Sequence, residues 1–450
     1  MSGFSNSNRG LSSKRLYVAI AAWLVLVLIG GFCTWYGWFG PGNENRQQAA
    51  EATPTIETPT PTVEAAAVQP TLTPTAAAAH PTAPPKEGEG EEEEVFGYGI
   101  AVHGIVGDAD YTMGQVESLG LGWVKQQLRW AHFESGPGQM DWSGFDWVVE
   151  AANKRGIKVM FSVVDAPQWA RPSYSDENPE GAPPDDLSLF TDFLGRLVDR
   201  YRGRIHAIEI WNEQNLDREW DTAEGVNAER YVEMLRLAYQ TIKSRDPNII
   251  VISGALSPVG ATATDPNNPS RIIYVDDFDY FDQMIAAGFL NYCDCVGAHH
   301  NGINMPPNVA WDEGYNDPTA QFRGPFDNPD HSWSFKSTLW GYHDRIVAAG
   351  SDKPLCVTEF GWASAEGLGG YPPGFEFALD NTLEEQAQWD VEAFQLMRQW
   401  GFVRLAFLWN LDFANKCGRD PTDPNAPYSL LDFDGVARPA YGAVGAMEKP

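Results

Sequence analysis

Two glutamates lie at the ends of strongly apolar runs, where a buried strand has no need of a carboxylate. Glu213 lies in IEIWNEQN (208–215), and Glu359 lies in VTEFGW (357–362). Burying a carboxyl group is costly unless it is paired, so two such placements indicate chemistry. Two carboxyl groups can act as a proton donor and a nucleophile, or as a proton donor and a base, and this is how glycosidic bonds are cleaved.

The elements that must position these residues alternate between Val95 and Pro450. Short β-rich runs that are apolar on both faces, as parallel strands covered by helices are, alternate with stretches of helical period. Eight strands are predicted at 96–103, 123–130, 158–164, 207–213, 248–256, 293–300, 353–361 and 404–413, and helices at 145–156, 187–203, 228–245, 337–350 and 383–401. Eight such units predict an α/β fold, a (β/α)8 TIM barrel. A doubly wound sheet is the alternative, but no Gly-rich phosphate loop follows the first strand.

Six of the predicted strands end in polar or aromatic residues: Arg129, Asp165, Asn212 with Glu213, His299 with His300, Glu359, and Trp409 with Asn410. This end of the strands is the rim where barrel enzymes carry out their chemistry. Strands four and seven lie opposite each other across the mouth of a barrel, so Glu213 and Glu359 are expected to face one cavity. Solvation of strand ends could explain any one of these residues, but their convergence favours a site.

The pair WNEQN and VTEFGW resembles the retaining glycoside hydrolases of clan A, in which strands four and seven carry the acid/base and the nucleophile. The stretch VVDAPQWARP (163–172) is similar to a Pro-x-Trp-Ala turn of the family 39 and family 42-like branches, and the resemblance, which also covers family 5-like barrels, extends from Val95 to about Tyr441. It implies these roles: Glu213 as general acid/base, Asn212 as partner of the sugar 2-hydroxyl, Glu359 as nucleophile, Trp409 as platform beneath the sugar, and Arg129 as support for the nucleophile.

Strand six departs from the clan pattern, because His299, His300 and Asn301 stand where many members have His-x-Tyr. The tyrosine that would touch the nucleophile is missing, and His299 is the better match for the family's histidine. Joint metal ligation by His299 and His300 is not expected, since neighbours on a strand point to opposite faces. The chemistry calls for no metal or cofactor. His103 and Trp169 are further candidates for sugar contacts, with packing as the alternative for each.

Two other features have structural as well as functional interpretations. Glu209 is interpreted as a buried glutamate paired with a basic residue such as Arg129. The segment 301–335 has no clear period, and long loops in compact domains are usually functional. We predict that it forms a wall of the substrate cleft, with a structural flap as the alternative, and its aromatic residues are Trp311, Tyr315, Phe322, Phe326 and Trp333.

The N-terminal part differs in composition from the rest of the chain. Residues 1–15 are polar and basic, and residues 16–40 contain no charge and end in Trp and Tyr, which predicts a cytoplasmic N-terminus followed by a transmembrane anchor. A cleavable signal peptide is the alternative. Residues 41–94 are rich in Thr, Pro, Ala and Glu and predict a disordered linker. The predicted hydrolase domain, 95–450, would then be extracytoplasmic on a single-pass membrane protein.

The formal net charge of −30 argues against nucleic acid or anionic lipid as partners and favours neutral ligands, which agrees with the carbohydrate substrate expected from the site residues. Five cysteines form no evident disulfide or metal framework. Buried thiols are the preferred interpretation, with a Cys356–Cys417 or similar bridge as the alternative. The sequence thus predicts a membrane-anchored retaining glycosidase acting by double displacement. A non-hydrolytic glycan-binding module and a transglycosylating enzyme are the alternatives, and the sugar, endo or exo attack and oligomeric state stay open.

Overall fold

The computed structural model describes residues 96–173 and 181–450. Eight strands form one parallel sheet: β1 Gly97–Ala101, β2 Trp123–Arg129, β3 Lys158–Val164, β4 Ala207–Ile210, β5 Ile250–Ser253, β6 Val296–Gly302, β7 Leu355–Trp362 and β8 Val403–Leu408. Strands β1 to β5 each pair with the next in the chain, as do β6 to β8, and β1 also pairs with β8. A parallel bridge from Ile252 to Cys295 links β5 to the start of β6, which closes the sheet into the predicted barrel.

One longer helix follows each strand: α1 Ala109–Ser118, α2 Ser143–Asn153, α3 Leu187–Tyr201, α4 Ala228–Arg245, α5 Asp277–Ala286, α6 Phe335–Ala348, α7 Leu383–Trp400 and α8 Pro439–Ala446. Short helices Trp130–Phe133, Gly324–Asp327 and Phe413–Lys416 and a hairpin of strands Ala263–Asp265 and Asn268–Tyr274 lie in the connections. The five predicted helices are confirmed to within a few residues. Helices α1, α5 and α8 were missed; they are the shortest of the eight, with 10, 10 and 8 residues.

The helices form for reasons visible in the sequence. Helix α3 buries Phe190, Phe193, Leu194, Leu197, Val198 and Tyr201, a spacing that places them on one face. Its N-cap, Asp186, accepts a hydrogen bond from the backbone N–H of Ser188. Helix α7 begins with a capping box of Thr382 and Glu385 and ends at Gly401, whose positive φ of 74° suits glycine.

The lower half of the barrel interior is filled by apolar side chains from alternate strand positions. They form a separate cluster of Trp123, Met160, Ala207, Ile252, Cys295, Cys356, Leu405 and Phe407. Strand β1 contributes glycine to this layer, because a Cβ at Gly97 or Gly99 would come within 2.4 Å of Leu405 or 2.5 Å of Phe407. The chemistry is therefore confined to the upper half, above a packed floor.

The structure bears out the alternative of a bridge at Cys356, but with a partner other than Cys417. Cys295 and Cys356 form a disulfide between the starts of β6 and β7, with a Cα–Cα distance of 5.7 Å. Strand pairing brings Cys356 level with Gly297 on the neighbouring strand, which explains why its partner is Cys295 and why the Cys356–Cys417 alternative is wrong. The buried-thiol interpretation holds for Cys293 and Cys417.

Within residues 96–173 and 181–450, no helix combines the length and the apolar character needed to cross a bilayer. The predicted cytoplasmic segment 1–15, membrane anchor 16–40 and linker 41–94 lie outside the described residues.

Candidate active site

The residues that follow β4 adopt an unusual backbone conformation that directs Glu213 into the cavity. After Ile210 the backbone leaves the extended region, with φ of 75° at Trp211 and 44° at Glu213. Residues other than glycine rarely adopt such values. The backbone N–H of Glu213 donates to the carbonyl of Ala255 at 2.8 Å. The amide of Asn215 donates to Ser257 and Val275 carbonyls at 2.8 and 3.1 Å. These bonds compensate for the unusual backbone.

A cavity of about 190 Å³ lies at the C-terminal ends of the strands, and both predicted catalytic residues line it. Glu213 and Glu359 are 9% and 7% exposed. Of the other predicted site residues, Asn212, Trp409, Arg129, His299, His300 and His103 also line the cavity. Trp169 is absent from this lining. Its indole packs on Trp130 with ring centroids 5.7 Å apart and donates to the carbonyl of Glu134, so the packing alternative describes it.

A single histidine joins the two glutamates. His299 is fully buried, and its Nδ1 lies 3.3 Å from an oxygen of Glu213 while its Nε2 lies 3.8 Å from an oxygen of Glu359. Burial opposes charging of the imidazole, but Glu359 and then Glu213 raise the pKa of His299 above its usual value. Both carboxylates therefore converge on one ring, and the predicted meeting of strands four and seven over one site is confirmed.

The nucleophile candidate is held by two groups that the sequence interpretation did not assign. The ammonium of Lys125 lies 3.0 Å from Oε1 of Glu359, and the amide of Asn301 donates to Oε2 at 3.4 Å. Arg129 was expected to support the nucleophile, but its guanidinium instead forms an ion pair with Asp165 at 2.9 Å. Asn301 occupies the strand position where the clan's tyrosine is missing, and Tyr428, which follows β8, also lines the cavity.

Lys125 also explains the buried Glu209. The two side chains lie 3.3 Å apart, and Thr358 donates to Glu209 at 2.6 Å. Burial disfavours the charge on both partners, but the attraction between opposite charges outweighs it, so the pKa of Lys125 is raised and that of Glu209 lowered. The interpretation of Glu209 as a paired structural carboxylate is confirmed, with Lys125 rather than Arg129 as the cation.

Glu213 has a cation of its own. The guanidinium of Arg218, five residues further along the chain, lies 2.5 Å from Oε2 of Glu213. Burial raises the pKa of Glu213, but Arg218 and His299 outweigh burial and lower it to about 2. In this resting arrangement Glu213 is an ionised carboxylate, whereas the sequence interpretation expected a protonated acid.

Several buried polar atoms around the cavity have no hydrogen-bond partner within residues 96–173 and 181–450. They are Nε2 of His103, Oδ1 of Asn212, Nδ1 of His300 and Oδ1 of Asn301. Burial lowers the pKa of His103 and of His300 to about 4, so both rings are neutral near pH 7. Unsatisfied buried polar groups are rare in folded proteins, and neutral donors and acceptors of this kind suit the hydroxyl groups of a sugar.

Aromatic side chains form the apolar walls. Trp409 packs on Phe413 and lies 5.8 Å from the ammonium of Lys125, measured to its ring centroid. Phe322 and Trp333 from the segment 301–335 line the same cavity, as predicted for a wall. Trp311 and Tyr315 of that segment are instead 42% and 39% exposed.

His299 and His300 face different surroundings, as expected for strand neighbours. His300 Nε2 lies 3.2 Å from the carbonyl of Ser332, whereas His299 contacts the glutamates. Among the described residues, possible metal-ligating atoms cluster elsewhere, at Asp276, Asp277 and His331. Asp277 there already accepts from the hydroxyl of Tyr342 at 2.8 Å and lies 3.1 Å from His331.

The residues that sequence reasoning missed are Lys125, Arg218, Glu219, Asn301 and Tyr428. A usable signal existed for Lys125, since in WVKQQLR it shares the strand face of Arg129 and a lysine on a buried strand needs a carboxylate partner. Arg218, Glu219 and Tyr428 lie in irregular connections, where residue spacing carries no such signal.

Comparison with known proteins supports the same class of domain. The cellulase family, described as glycosyl hydrolase family 5, matches residues 89–280, a stretch that contains Asn212 and Glu213. No curated protein sequence matches the chain.

Solved structures share the fold at low sequence identity. A family 39 glycoside hydrolase from Bacteroides cellulosilyticus WH2 aligns with a TM-score of 0.55 and 18% identity over 79% of this chain and 64% of that one. A GH39 β-xylosidase from Caulobacter crescentus aligns with a TM-score of 0.51 and 17% identity over 79% of this chain and 71% of that one. A glucosidase from Croceicoccus marinus aligns with a TM-score of 0.51 and 14% identity, covering 78% and 66%. The chain thus spans less than two thirds of the first of these proteins.

The matched residues include the β4 motif with Glu213. Closure of the barrel brings Glu359 and Glu213 to the same histidine, His299. The barrel thus shares its fold with family 39 glycoside hydrolases, and the cellulase family model matches the part of it that carries the β4 motif.

Proposed function

We propose that this protein is a retaining glycoside hydrolase in which Glu359 attacks the anomeric carbon and Glu213 acts first as acid and then as base. The observation that carries the proposal is the contact of one imidazole, His299, with both carboxylates. The retaining mechanism, whose carboxyl groups stand about 5–5.5 Å apart rather than the roughly 6.5–9.5 Å of inverting enzymes, is inferred from the resemblance of the strand-four and strand-seven motifs to clan A.

The surroundings of Glu359 suit a nucleophile. Lys125 and Asn301 both donate to its carboxylate, which holds its two oxygens in place at the cavity. Attack forms a glycosyl ester on Glu359 as the bond to the leaving oxygen breaks. Glu213 then removes a proton from water, whose oxygen attacks the anomeric carbon and releases Glu359.

The remaining cavity residues suit a sugar ring. Asn212 presents an amide beside Glu213, where it can bind a 2-hydroxyl and strengthen that bond in the transition state. Trp409 offers a flat apolar face, and the neutral His103 and His300 offer hydrogen bonds to hydroxyl groups. The structural neighbours named a β-xylosidase and a glucosidase make xylosides and glucosides the first substrates to test.

We also propose that residues 16–40 anchor the protein in a membrane and that the linker 41–94 carries the barrel outside the cytoplasm. The uncharged run with flanking aromatic and basic residues supports this. The Cys295–Cys356 disulfide supports it independently, since such bridges persist in oxidising compartments.

The test uses the full-length protein with aryl β-xylosides and β-glucosides. Proton NMR of the first product should show the β anomer, the retained configuration. Glu213→Gln should lower kcat/KM by about 10²–10⁴-fold, and Glu359→Gln should lower it at least as far. Glu366→Gln, an exposed glutamate in the connection after β7, is the matched control and should keep full activity.

Added azide separates the two roles. With Glu213→Ala it should restore turnover and give the β-glycosyl azide, because azide replaces water on the intermediate. With Glu359→Ala it should give the α-glycosyl azide, because azide then attacks the α face directly, opposite the β-linked leaving group. Full turnover by both Gln variants, or an inverted first product, would contradict the proposal.

A further inference from the structure

The proposed acid cannot donate a proton in the arrangement that the structure shows. Its Oε2 lies 2.5 Å from the guanidinium of Arg218, and its Oε1 lies 3.3 Å from Nδ1 of His299. A general acid needs a proton and an oxygen directed at the leaving group. Glu213 must therefore gain a proton and lose one of these two contacts before glycoside cleavage begins.

Arg218 is the contact that substrate can displace. His299 is fully buried within β6 and is wedged between Glu213 and Glu359. Arg218 lies in the irregular connection after β4, lines the cavity, and keeps 17% of its side chain exposed. Because the guanidinium is more exposed to the cavity than the imidazole, a bound glycoside would compete with Arg218 rather than with His299 for Glu213.

Glu219, the residue after Arg218, can supply the proton that Glu213 needs and the carboxylate that can accept the guanidinium of Arg218. Glu219 lines the same cavity and is 6% exposed, and its backbone carbonyl accepts from the indole of Trp211 at 2.6 Å, which fixes its position. The charged groups that influence it are Arg129, Arg218, Glu213 and Asp165. Burial raises the pKa of Glu219 to about 7 against the lowering effect of the two arginines, so this carboxyl holds a proton at mildly acidic pH.

We propose that Arg218 and Glu219 are positioning residues that load the general acid. When a glycoside enters, the Arg218 guanidinium passes from Glu213 to Glu219, and the proton of Glu219 passes to Glu213. One O–H bond breaks on Glu219 and one forms on Glu213, one ion pair replaces another, and the net charge of the site stays the same. Removal of the cation from Glu213 raises its proton affinity, and arrival of the cation lowers that of Glu219, so each movement favours the other.

This inference deepens the proposed function and rests on it. It predicts that Glu219 matters only where the leaving group needs a proton. A dinitrophenyl glycoside departs without protonation, whereas a methyl glycoside of the same sugar requires the acid. Because both substrates carry the same sugar and make the same contacts with it, the difference between them measures the contribution of proton donation to the leaving group.

The experiment measures kcat/KM of the full-length enzyme on both glycosides across pH. Glu219→Gln should lower kcat/KM for the methyl glycoside by roughly 10²-fold and change that for the dinitrophenyl glycoside by less than about 3-fold, well under the tenfold worth of 1.4 kcal/mol. The wild-type profile on the methyl glycoside should fall above about pH 7, where Glu219 loses its proton. Glu219→Asp should recover part of the loss.

The Arg218→Gln background completes a double-mutant cycle. With no guanidinium to exchange, adding Glu219→Gln should cause no further loss on the methyl glycoside. Equal losses on both glycosides for Glu219→Gln would assign it a merely structural role and overturn the proposal, as would full activity with an unchanged profile. If Glu359→Gln still hydrolysed the dinitrophenyl glycoside at the wild-type rate, the proposed function would fail and take this inference with it.

Discussion

The two glutamates proposed to react differ because each is paired with a different cation. Glu359 has Lys125, which is 1% exposed and shared with Glu209, so this ion pair is fixed in the barrel interior. Glu213 has Arg218, which is partly exposed and lies at the cavity. A buried and doubly held cation suits a carboxylate that must stay ionised, whereas an accessible one suits a carboxylate that must change its protonation state.

The interior charge pair can be tested by replacing Lys125 with Met, which has a similar length and no charge. Glu209 and Glu359 would then lack their cation, so the free energy of unfolding should fall by roughly 3–5 kcal/mol, and turnover of both activated and unactivated glycosides should drop. Urea unfolding followed by tryptophan fluorescence measures the first effect. Lys154→Met removes an exposed ion pair with Asp110 and should cost less than about 1 kcal/mol. Equal losses for the two variants would contradict the interior role.

At the scale of elements, the connections after the strands shape the cavity. The segment between β6 and α6 brings Phe322 and Trp333 to the wall. It is held to the connection after β7 by one carboxylate, since Asp380 accepts from the backbone N–H groups of Gln321 and Phe322 at 2.7 and 2.9 Å. The same carboxylate accepts from the amide of Asn304 at 2.8 Å.

Asp380→Ala should loosen this wall without touching the glutamates. We expect KM to rise by about tenfold, which corresponds to a weakening of 1.4 kcal/mol, with a smaller change in kcat because the reacting groups stay in place. Steady-state kinetics on an aryl glycoside separates the two constants. Asp312→Ala, an exposed residue of the same segment, should leave both unchanged. A fall in kcat at constant KM would show that Asp380 acts on the chemistry instead.

At the scale of the whole molecule, barrel closure depends on the contact between β5 and β6. That contact involves few residues. Ile252 pairs with Cys295 as an isolated bridge, and the hydroxyl of Ser253 accepts from the backbone N–H of Gly297 at 3.0 Å. The disulfide from Cys295 to Cys356 ties this seam to β7 across 61 residues of sequence. The disulfide thus restrains the unfolded chain and stabilises the apolar layer that lies beneath the site.

Replacing both Cys295 and Cys356 with Ala should lower the free energy of unfolding by about 2–4 kcal/mol, mainly through the greater entropy of the unfolded chain. Chemical unfolding of the oxidised protein gives the value. A reducing agent should destabilise the wild type and leave the double variant unaffected. Cys293→Ala changes a buried thiol outside the bridge, and its response to reduction should match that of the wild type. A wild type indifferent to reduction would refute the stabilising role.

The sequence by itself determined the barrel and the pair of glutamates that are the catalytic candidates. Alternation of apolar strands and helices is a local property, and so is the placement of a carboxylate at a strand end, as at Glu213 and Glu359. The one-residue alternation along a strand also separated His299 from His300. These features can be read without knowing which strands are neighbours.

Only the tertiary structure decided which groups those residues touch. Lys125 reaches Glu359 from β2, and Cys295 rather than Cys417 reaches Cys356, because closure brings together strands far apart in the chain. The alignment of β6 with β7 shifts at His299 and sets it beside Glu359, a displacement that no residue pattern announces. Arg218 reaches Glu213 through an irregular turn. Pairing and protonation depend on distances of a few ångströms, and those distances follow from packing rather than from spacing along the chain.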